Sequence, residues 1–309
     1  MIEVSVIIPD KDSPTVGQTL ESLERQSYER GRYEVIVVGT DAPSRVRESD
    51  LVRFDRSDQP LSPAAARNRG ARQARGKVLA FLDADCCAHP DWLRVLQQRF
   101  AEVGVEVLGG GVEIEGGGYW ATADNLSTFH EFLANRPSGK RQQLPSLNLA
   151  VHASLFQEVG GFDERYPVPG GEDADLTARL RARGTLLHFE PRAVVQHLSS
   201  RQNLRALMRH AQQLGRYSLK VDPRHTGTPD AFPGWTLHPW VILIAAPVLA
   251  TGATLKAFIG TRAPMRWWLL APAVFLAKLA WCEGAASRLR HPSAVSGRSF
   301  RTSCSQPPS

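Results

Sequence analysis

The sequence predicts an α/β protein built on a mostly parallel, doubly wound sheet, with a hydrophobic helical hairpin at its C-terminal end. Two patterns carry that expectation. Short apolar runs alternate with helical patterns from Val4 to about Gly110, and the 25 residues from Ala231 to Leu255 contain no Asp, Glu, Lys or Arg. Strands alternating with helices imply parallel pairing with helices on both faces. The length of 309 residues suits one large domain or two smaller ones. Hydrophobic content of 42% and charged content of 22% support an ordinary buried core.

Taken in order, Val4-Ser5-Val6-Ile7-Ile8 reads as a buried strand closed by Pro9 and a polar loop. Thr15 to Gln26 places Val16, Leu20 and Leu23 at helical spacing, and Val35 to Val38 is a second buried strand ended by Gly39. Ala64 to Ala74 is Ala-rich and helical, and Lys77 to Leu82 is a third apolar run. Pro90 suits the first turn of a helix reaching Val103, whose stripe is Trp92, Leu93, Leu96 and Phe100. The Gly-rich stretch Gly109 to Gly118 carries no dinucleotide fingerprint, and Thr185 to His197 is strand-like.

The tail differs. A spanning helix needs roughly 20 apolar residues. The stretch from Ala231 to Leu255 meets that length, although Pro239, Pro247 and Gly252 weaken it. Trp267 to Cys282 is shorter and interrupted by Lys278. Trp235, Trp240, Trp267, Trp268 and Trp281 are expected at the segment ends, where indoles favour headgroups. Arg216, Lys220 and Arg224 precede the pair, and Arg288, Arg290 and Arg298 follow it, a pattern that keeps both flanks cytoplasmic. The expected divisions are 1–200 for the α/β domain, 201–232 for basic amphipathic connecting helices, 233–285 for the hairpin and 286–309 for a flexible tail.

A net charge of +6 suits an anionic partner such as a nucleotide phosphate or a lipid surface. The basic residues are dispersed, without an aromatic-basic motif, so nucleic acid is not an expected partner. Four cysteines without a C-x-x-C pair support neither a zinc site nor a redox motif, and a reducing compartment fits. Met1 to Pro9 reads as a first strand and not a signal peptide, which leaves the soluble part in the cytoplasm.

Two acidic clusters carry the chemistry. Asp83 and Asp85 follow the apolar run, and residues two apart project from one face of a strand. Open α/β sheets bind ligands at the strands' C-terminal edge. Paired carboxylates there suit a divalent ion that bridges diphosphate oxygens. Glu172-Asp173-Ala174-Asp175 opens a helix after Pro169-Gly170-Gly171. A carboxylate there is favoured by the helix N-terminus and is placed to accept a proton from an attacking hydroxyl; dipole complementation alone is the plainer alternative.

The ordered series Val4-Ser5-Val6-Ile7-Ile8-Pro9, Glu34-Val35-Ile36-Val37-Val38, Ala66-Arg67-Asn68-Arg69-Gly70, Gly76 to Asp85, Val159-Gly160-Gly161-Phe162-Asp163-Glu164 and Gly171 to Leu176 resembles the family 2 glycosyltransferases of GT-A fold over about residues 2 to 200. The resemblance implies that Pro9 and Asp10 border the nucleotide, with Arg67 near it and Asn68 shaping that loop. It also implies that Asp83 contacts ribose or metal, that Asp85 is the principal ligand for Mg²⁺ or Mn²⁺, and that His197 adds a further ligand. Asp173 matches the catalytic base, Glu172 positions it or meets the acceptor, and Asn148 lies near the donor sugar.

One departure stands out. The family's Asp directly after the second strand is replaced by Gly39-Thr40-Asp41, so either Asp41 serves from a shifted position or base recognition is altered, and the nucleotide stays unidentified. Gln213-Leu214-Gly215-Arg216-Tyr217 is similar to the Q-x-x-R-W element of processive synthases, with Tyr for Trp, and a basic interfacial helix is the expected reading. The implied activity is inverting transfer from a nucleotide sugar, UDP by default with GDP or dTDP as options, to a lipid-linked or envelope-glycan acceptor at the cytoplasmic face of the membrane. The alternative is a degenerate, membrane-tethered binding module. A nucleotidyltransferase is disfavoured because Pro9 to Pro14 is not a glycine-rich phosphate loop.

Overall fold

Val4–Lys11 forms β1 and Tyr33–Thr40 forms β2, two nearly unbroken apolar runs buried on both faces, as central parallel strands require. They pair in parallel with each other, with β3 (Val52–Arg56) beyond β2 and with β4 (Val78–Leu82) beyond β1. Helix α1 (Val16–Glu24) follows β1, and α2 (Pro63–Gln73) precedes β4, capped by the Ser62 hydroxyl with Pro63 in its first turn. A computed structural model describes residues 1–114, 116–218, 238–261 and 264–290.

The remaining strands are β5 (Cys86–Ala88), β6 (Val107–Glu113), β7 (Gly139–Lys140), β8 (Asn148–His152) and β9 (Leu187–His197). The sheet runs β3-β2-β1-β4-β8-β6-β9-β5, with β7 on β9. β8 runs against β4 and β6, and β5 and β7 run against β9, while β6 and β9 are parallel. Strands β1 to β4, β6 and β9 therefore share one direction, in line with the mostly parallel expectation. Helices α3 (Trp92–Phe100), α4 (Gly118–Phe129), α5 (Ala153–Glu158) and α6 (Glu172–Ala182) complete the α/β part. Phe81, Phe156 and Phe162 interlock edge-on in its core, and Trp92 is fully buried.

The Gly-rich stretch is a central strand. β6 contains Gly109, Gly110 and Gly111, and a Cβ on Gly110 would meet the Ala193 carbonyl and the Asn148 amide at 2.2 Å. Close approach of neighbouring backbone, not strand propensity, selects glycine there.

The apolar tail forms α8 (Pro239–Gly260) and α9 (Ala271–Arg290), joined by a 3₁₀ turn at Met265–Leu270. Both helices are long and apolar enough to cross a membrane. Pro239 occupies the first turn of α8, and Pro247 is accommodated inside the helix. α9 lies against α7 (Leu204–Ser218) and α4 as well as α8. Trp281, expected at a segment end, lies well inside α9 and faces the protein. Trp235, Lys220, Arg224, Arg298, the rest of residues 219–237 and the tail from 291 lie outside the described residues.

Two glycines set the α7–α9 contact. A Cβ on Gly215 would come within 2.0 Å of the Trp281 carbonyl, and one on Gly284 within 2.0 Å of the Gln212 carbonyl. Backbone therefore meets backbone on both sides. Gly284→Val should lower stability by about 1–3 kcal/mol through this clash. Gly252→Ala, where an added Cβ meets nothing within 4 Å, should leave stability unchanged or raise it by up to about 1 kcal/mol. Thermal melts of the two variants in detergent check the contrast.

Candidate active site

The strand ends assemble the site. Beyond β4 the chain runs through Asp83, Ala84 and Asp85 and returns at once as β5, where Cys86 pairs with His197 at the end of β9. The Leu198 amide donates to the Asp85 carbonyl at 2.8 Å, which clamps the two segments. His197, 7% exposed, thus has its Nε2 3.5 Å from Asp85 Oδ2.

Asn125 on α4 orients that imidazole. Its Nδ2 donates to the His197 carbonyl at 3.3 Å, which leaves Oδ1 to accept from His197 Nδ1–H at 2.7 Å. Nε2 and the Asp85 carboxylate are then two acceptors facing each other, and a cation must lie between them. A proton meets that need: burial disfavours the charged ring, but Asp85 outweighs it and draws the His197 pKa above its ordinary value. A divalent ion meets it equally. Donor atoms of Asp85, Cys86 and His197 lie within 4.8 Å of one another, and carboxylate plus imidazole is a donor set that fits Mn²⁺ or Mg²⁺.

Arg67 ties this group to the second acidic cluster. Its Nη2 donates to Asp83 Oδ1 at 2.6 Å and its Nη1 to Glu172 Oε1 at 3.0 Å. Arg67 and Glu172 are almost fully buried, whereas the Asp83 side chain is 31% exposed and open to a ligand. Glu172 Oε2 accepts from the Gly170 amide, and Asp173 accepts from the Ala174 and Ser146 amides. Gly171, left-handed at φ 95°, turns the chain into α6 and aims the Asp173 carboxyl into the cavity. Burial, then the neighbouring Glu172 charge, raises its pKa to about 6.

A cavity of about 340 Å³ joins these groups. Arg67, Asp83, Asp85, His197, Glu172 and Asp173 line one side, and α4, α7 and α9 supply the other.

Residues 5–157 match the family described as glycosyl transferase family 2. The chain belongs to that family. Similar curated proteins include glycosyltransferase AglE of Haloferax volcanii, 30% identical over 60% of this chain and 64% of the relative. Pre-mycofactocin glycosyltransferase of Mycobacterium tuberculosis is 28% identical over 78% of this chain and 52% of the relative. The chain thus spans between half and two thirds of the length of these relatives. Among solved structures, the mannosyltransferase PcManGT of Pyrobaculum calidifontis, in complex with GDP-Man and Mn²⁺, superposes with a TM-score of 0.58 at 22% identity, covering 89% of this chain and 85% of that one. GalNAc-T7 with UDP, GalNAc and Mn²⁺ gives 0.55 at 15% identity, covering 87% and 57%. The fold is GT-A.

Not every residue expected from the glycosyl transferase family 2 resemblance reaches the cavity. Asn68 is spent on structure, bonding the Phe162 backbone in both directions and Glu164. Asn148 is committed to the Trp92 indole and to the Gly111 and Ala193 carbonyls, so its side chain pins β6, β8, β9 and α3 together. Pro9, Asp10 and Asp41 lie near the ends of β1 and β2, outside the cavity lining. Burial, opposed by the Ser13 amide and assisted by Asp41, raises the Asp10 pKa to about 6. Asp10 Oδ2 and Asp41 Oδ1 are both buried without a partner, as groups awaiting donors are.

The Gly39 departure has a steric cause: a Cβ there would stand 1.8 Å from the Asp10 carbonyl oxygen, so the acidic side chain is displaced to buried Asp41. Several site residues carried no sequence signal. Asn125, Asp124, Arg201, His210 and Lys278 are brought in by tertiary structure, and His210 Nδ1 bonds buried Asp124 at 2.7 Å. α7, expected as an interfacial helix, is a wall of the site, with Gln213 donating to the Pro169 carbonyl beside the Gly170 turn.

Removing Arg67 would strand two carboxylates. Arg67→Ala should cost about 3–5 kcal/mol, and Arg67→Lys should recover only part because an ammonium cannot fork to both partners. Urea midpoints at fixed pH measure both.

Proposed function

We propose that the protein is an inverting, metal-dependent glycosyltransferase that moves a sugar from a nucleoside-diphosphate donor, UDP by default, to a hydroxyl of a lipid-linked or envelope-glycan acceptor at the cytoplasmic face of the membrane. One arrangement carries the reading. Asp173 opens into the same cavity as Asp83, Asp85 and His197, and Arg67 couples the two groups.

Asp173 takes the proton of the acceptor hydroxyl, which attacks the anomeric carbon opposite the leaving diphosphate. One displacement inverts the configuration. Asp85 and His197, with Asp83 beside them, would hold a divalent ion, which would supply neutralising charge for that diphosphate; the Mn²⁺ in PcManGT and GalNAc-T7 supports its use. Arg67 fixes Glu172 and Asp83 in place through its two ion pairs, and the Glu172 charge keeps Asp173 basic by repulsion. Asn125 holds His197 in one tautomer. GDP-mannose and UDP in the two neighbours leave both nucleotides for trial.

A base with a pKa near 6 is active when ionised, so rate is lost as pH falls through that value. The expected acid limb of kcat/KM falls about tenfold per pH unit below about 6. Asp173→Asn should cut turnover by roughly 10²–10⁴-fold and keep nucleotide binding, while Asp85→Ala should lose metal-dependent binding as well. Calorimetry with UDP and GDP, with and without Mn²⁺, alongside pH–rate profiles, checks this. Transfer retained in both variants overturns the assignment.

Membrane attachment rests on α8. Trp240, Ile244, Val248 and Ile259 recur along its outer face, 59–80% exposed, and Met265 and Leu269 extend the patch. With α9 walling the cavity, this patch rests in the cytoplasmic leaflet, where the +6 charge favours anionic lipid. Ile244→Glu with Val248→Glu should shift the protein from the membrane pellet towards the supernatant in vesicle sedimentation; an unchanged pellet fraction counts against attachment through α8.

A further inference from the structure

The cavity lining contributed by α4, α7 and α9 holds a cation that the chemistry above does not use. Lys278 projects from the otherwise apolar first three turns of α9 into the cavity, next to Ser127, Trp281 and His210. Its Nζ donates to the Ser127 carbonyl at 2.6 Å, a group left open by the C-terminal turn of α4. That contact uses one of three N–H donors.

The carboxylate on this wall, Asp124, is engaged elsewhere: His210 Nδ1 lies 2.7 Å from its Oδ1 and Arg201 Nε 3.7 Å from its Oδ2. The charged groups that face Lys278 are Glu131, just past α4, and Lys256 of α8. Glu131 is already in an ion pair with Lys256, and Arg136 acts on it too. His130 alongside is held neutral by burial and by Lys278 itself, with a pKa of about 4. The corner therefore carries surplus positive charge, which is costly to desolvate unless an anion arrives. The catalytic carboxylates do not supply it. Asp85 is served first by His197 and then by Arg201, and Asp173 by Arg67.

The same wall is apolar around the ammonium, through Phe129, Phe132, Leu214 and Trp281. A cation ringed by aromatic and aliphatic surface matches a phosphate ester with an alkyl chain. We propose that Lys278 binds the phosphate of the acceptor, so that the acceptor subsite, built from α4, α7 and α9, selects a phosphorylated lipid. The proposal rests on the transferase reading and names its acceptor class. The phosphate on Lys278 anchors the acceptor while its hydroxyl reaches towards Asp173.

The test uses the full chain in detergent and three probes: farnesyl phosphate, farnesol and inorganic phosphate, titrated by calorimetry with UDP or GDP and Mn²⁺ present. Wild type should bind farnesyl phosphate at least about tenfold more tightly than farnesol or inorganic phosphate. Lys278→Gln keeps a donor for the Ser127 carbonyl and loses the charge; it should bind farnesyl phosphate at least about tenfold more weakly and bind nucleotide normally. Lys278→Arg should restore most of the affinity. Inorganic phosphate binding as tightly as farnesyl phosphate would make the ligand a free anion and overturn the lipid assignment. Equal farnesyl phosphate affinity in wild type and Lys278→Gln, with nucleotide binding intact, overturns the role of Lys278 alone. Absence of metal-dependent nucleotide binding in folded wild type overturns the transferase reading instead.

Discussion

A guanidinium almost fully removed from water, forked between two carboxylates from distant parts of the chain, organises the site. Arg67 comes from α2, Asp83 from the end of β4 and Glu172 from the start of α6. An ammonium could not satisfy both partners, since the planar fork sets the angle between the two bonds. With Arg67 in place, α6 cannot shift relative to the sheet without stranding a charge. Asp173, adjacent to Glu172, inherits that position. Its elevated pKa follows from the same arrangement: burial first, then the charge of the neighbouring Glu172, which Arg67 holds in place.

The opposite side of the site depends on hydrogen bonding from the sheet outward. β5 is only three residues long, and its pairing with the end of β9 is what brings His197 beside Asp85. Asn125 then reads both the His197 carbonyl and its ring, so one side chain fixes backbone and tautomer together. Asn148 does the comparable task deeper down, between Trp92, β6 and β9. Expected near the donor sugar, its side chain is instead 1% exposed and engaged with the Trp92 indole and two carbonyls inside the fold.

Which features were legible in the sequence follows from the range of the forces involved. β1, β2, β4 and α3 announce themselves through local apolar patterns, and Asp83, Asp85 and Asp173 through their position at element ends. β6 does not, because Gly110 and Gly111 answer to carbonyls of Ala193 and Pro191, far along the chain, and Gly109 to the Leu144 side chain. Asn125 and His197 meet across 72 residues and Arg67 and Glu172 across 105, separations that no periodicity records. Lys278 read as a flaw in an apolar segment. In the fold it is a positive charge on a cavity wall.

That change of meaning follows from how α9 is held. A helix kept from its neighbour by ordinary side chains would stand roughly 8–10 Å away between axes. Gly215 and Gly284 remove those side chains from both faces, so that α7 and α9 meet backbone to backbone. α7 in turn abuts the Gly170–Gly171 turn that leads into Asp173. The apolar tail is therefore continuous with α6, which carries Asp173, through two layers of close contact. Displacing α9 would disturb the turn that aims Asp173 as well as the wall that carries Lys278. One face of this assembly is the exposed stripe of α8, and the other is the cavity. A hydrophobic element whose inner surface is part of the site fixes the cavity relative to its own exposed stripe, so whatever surface covers the stripe lies at a set distance from the cavity.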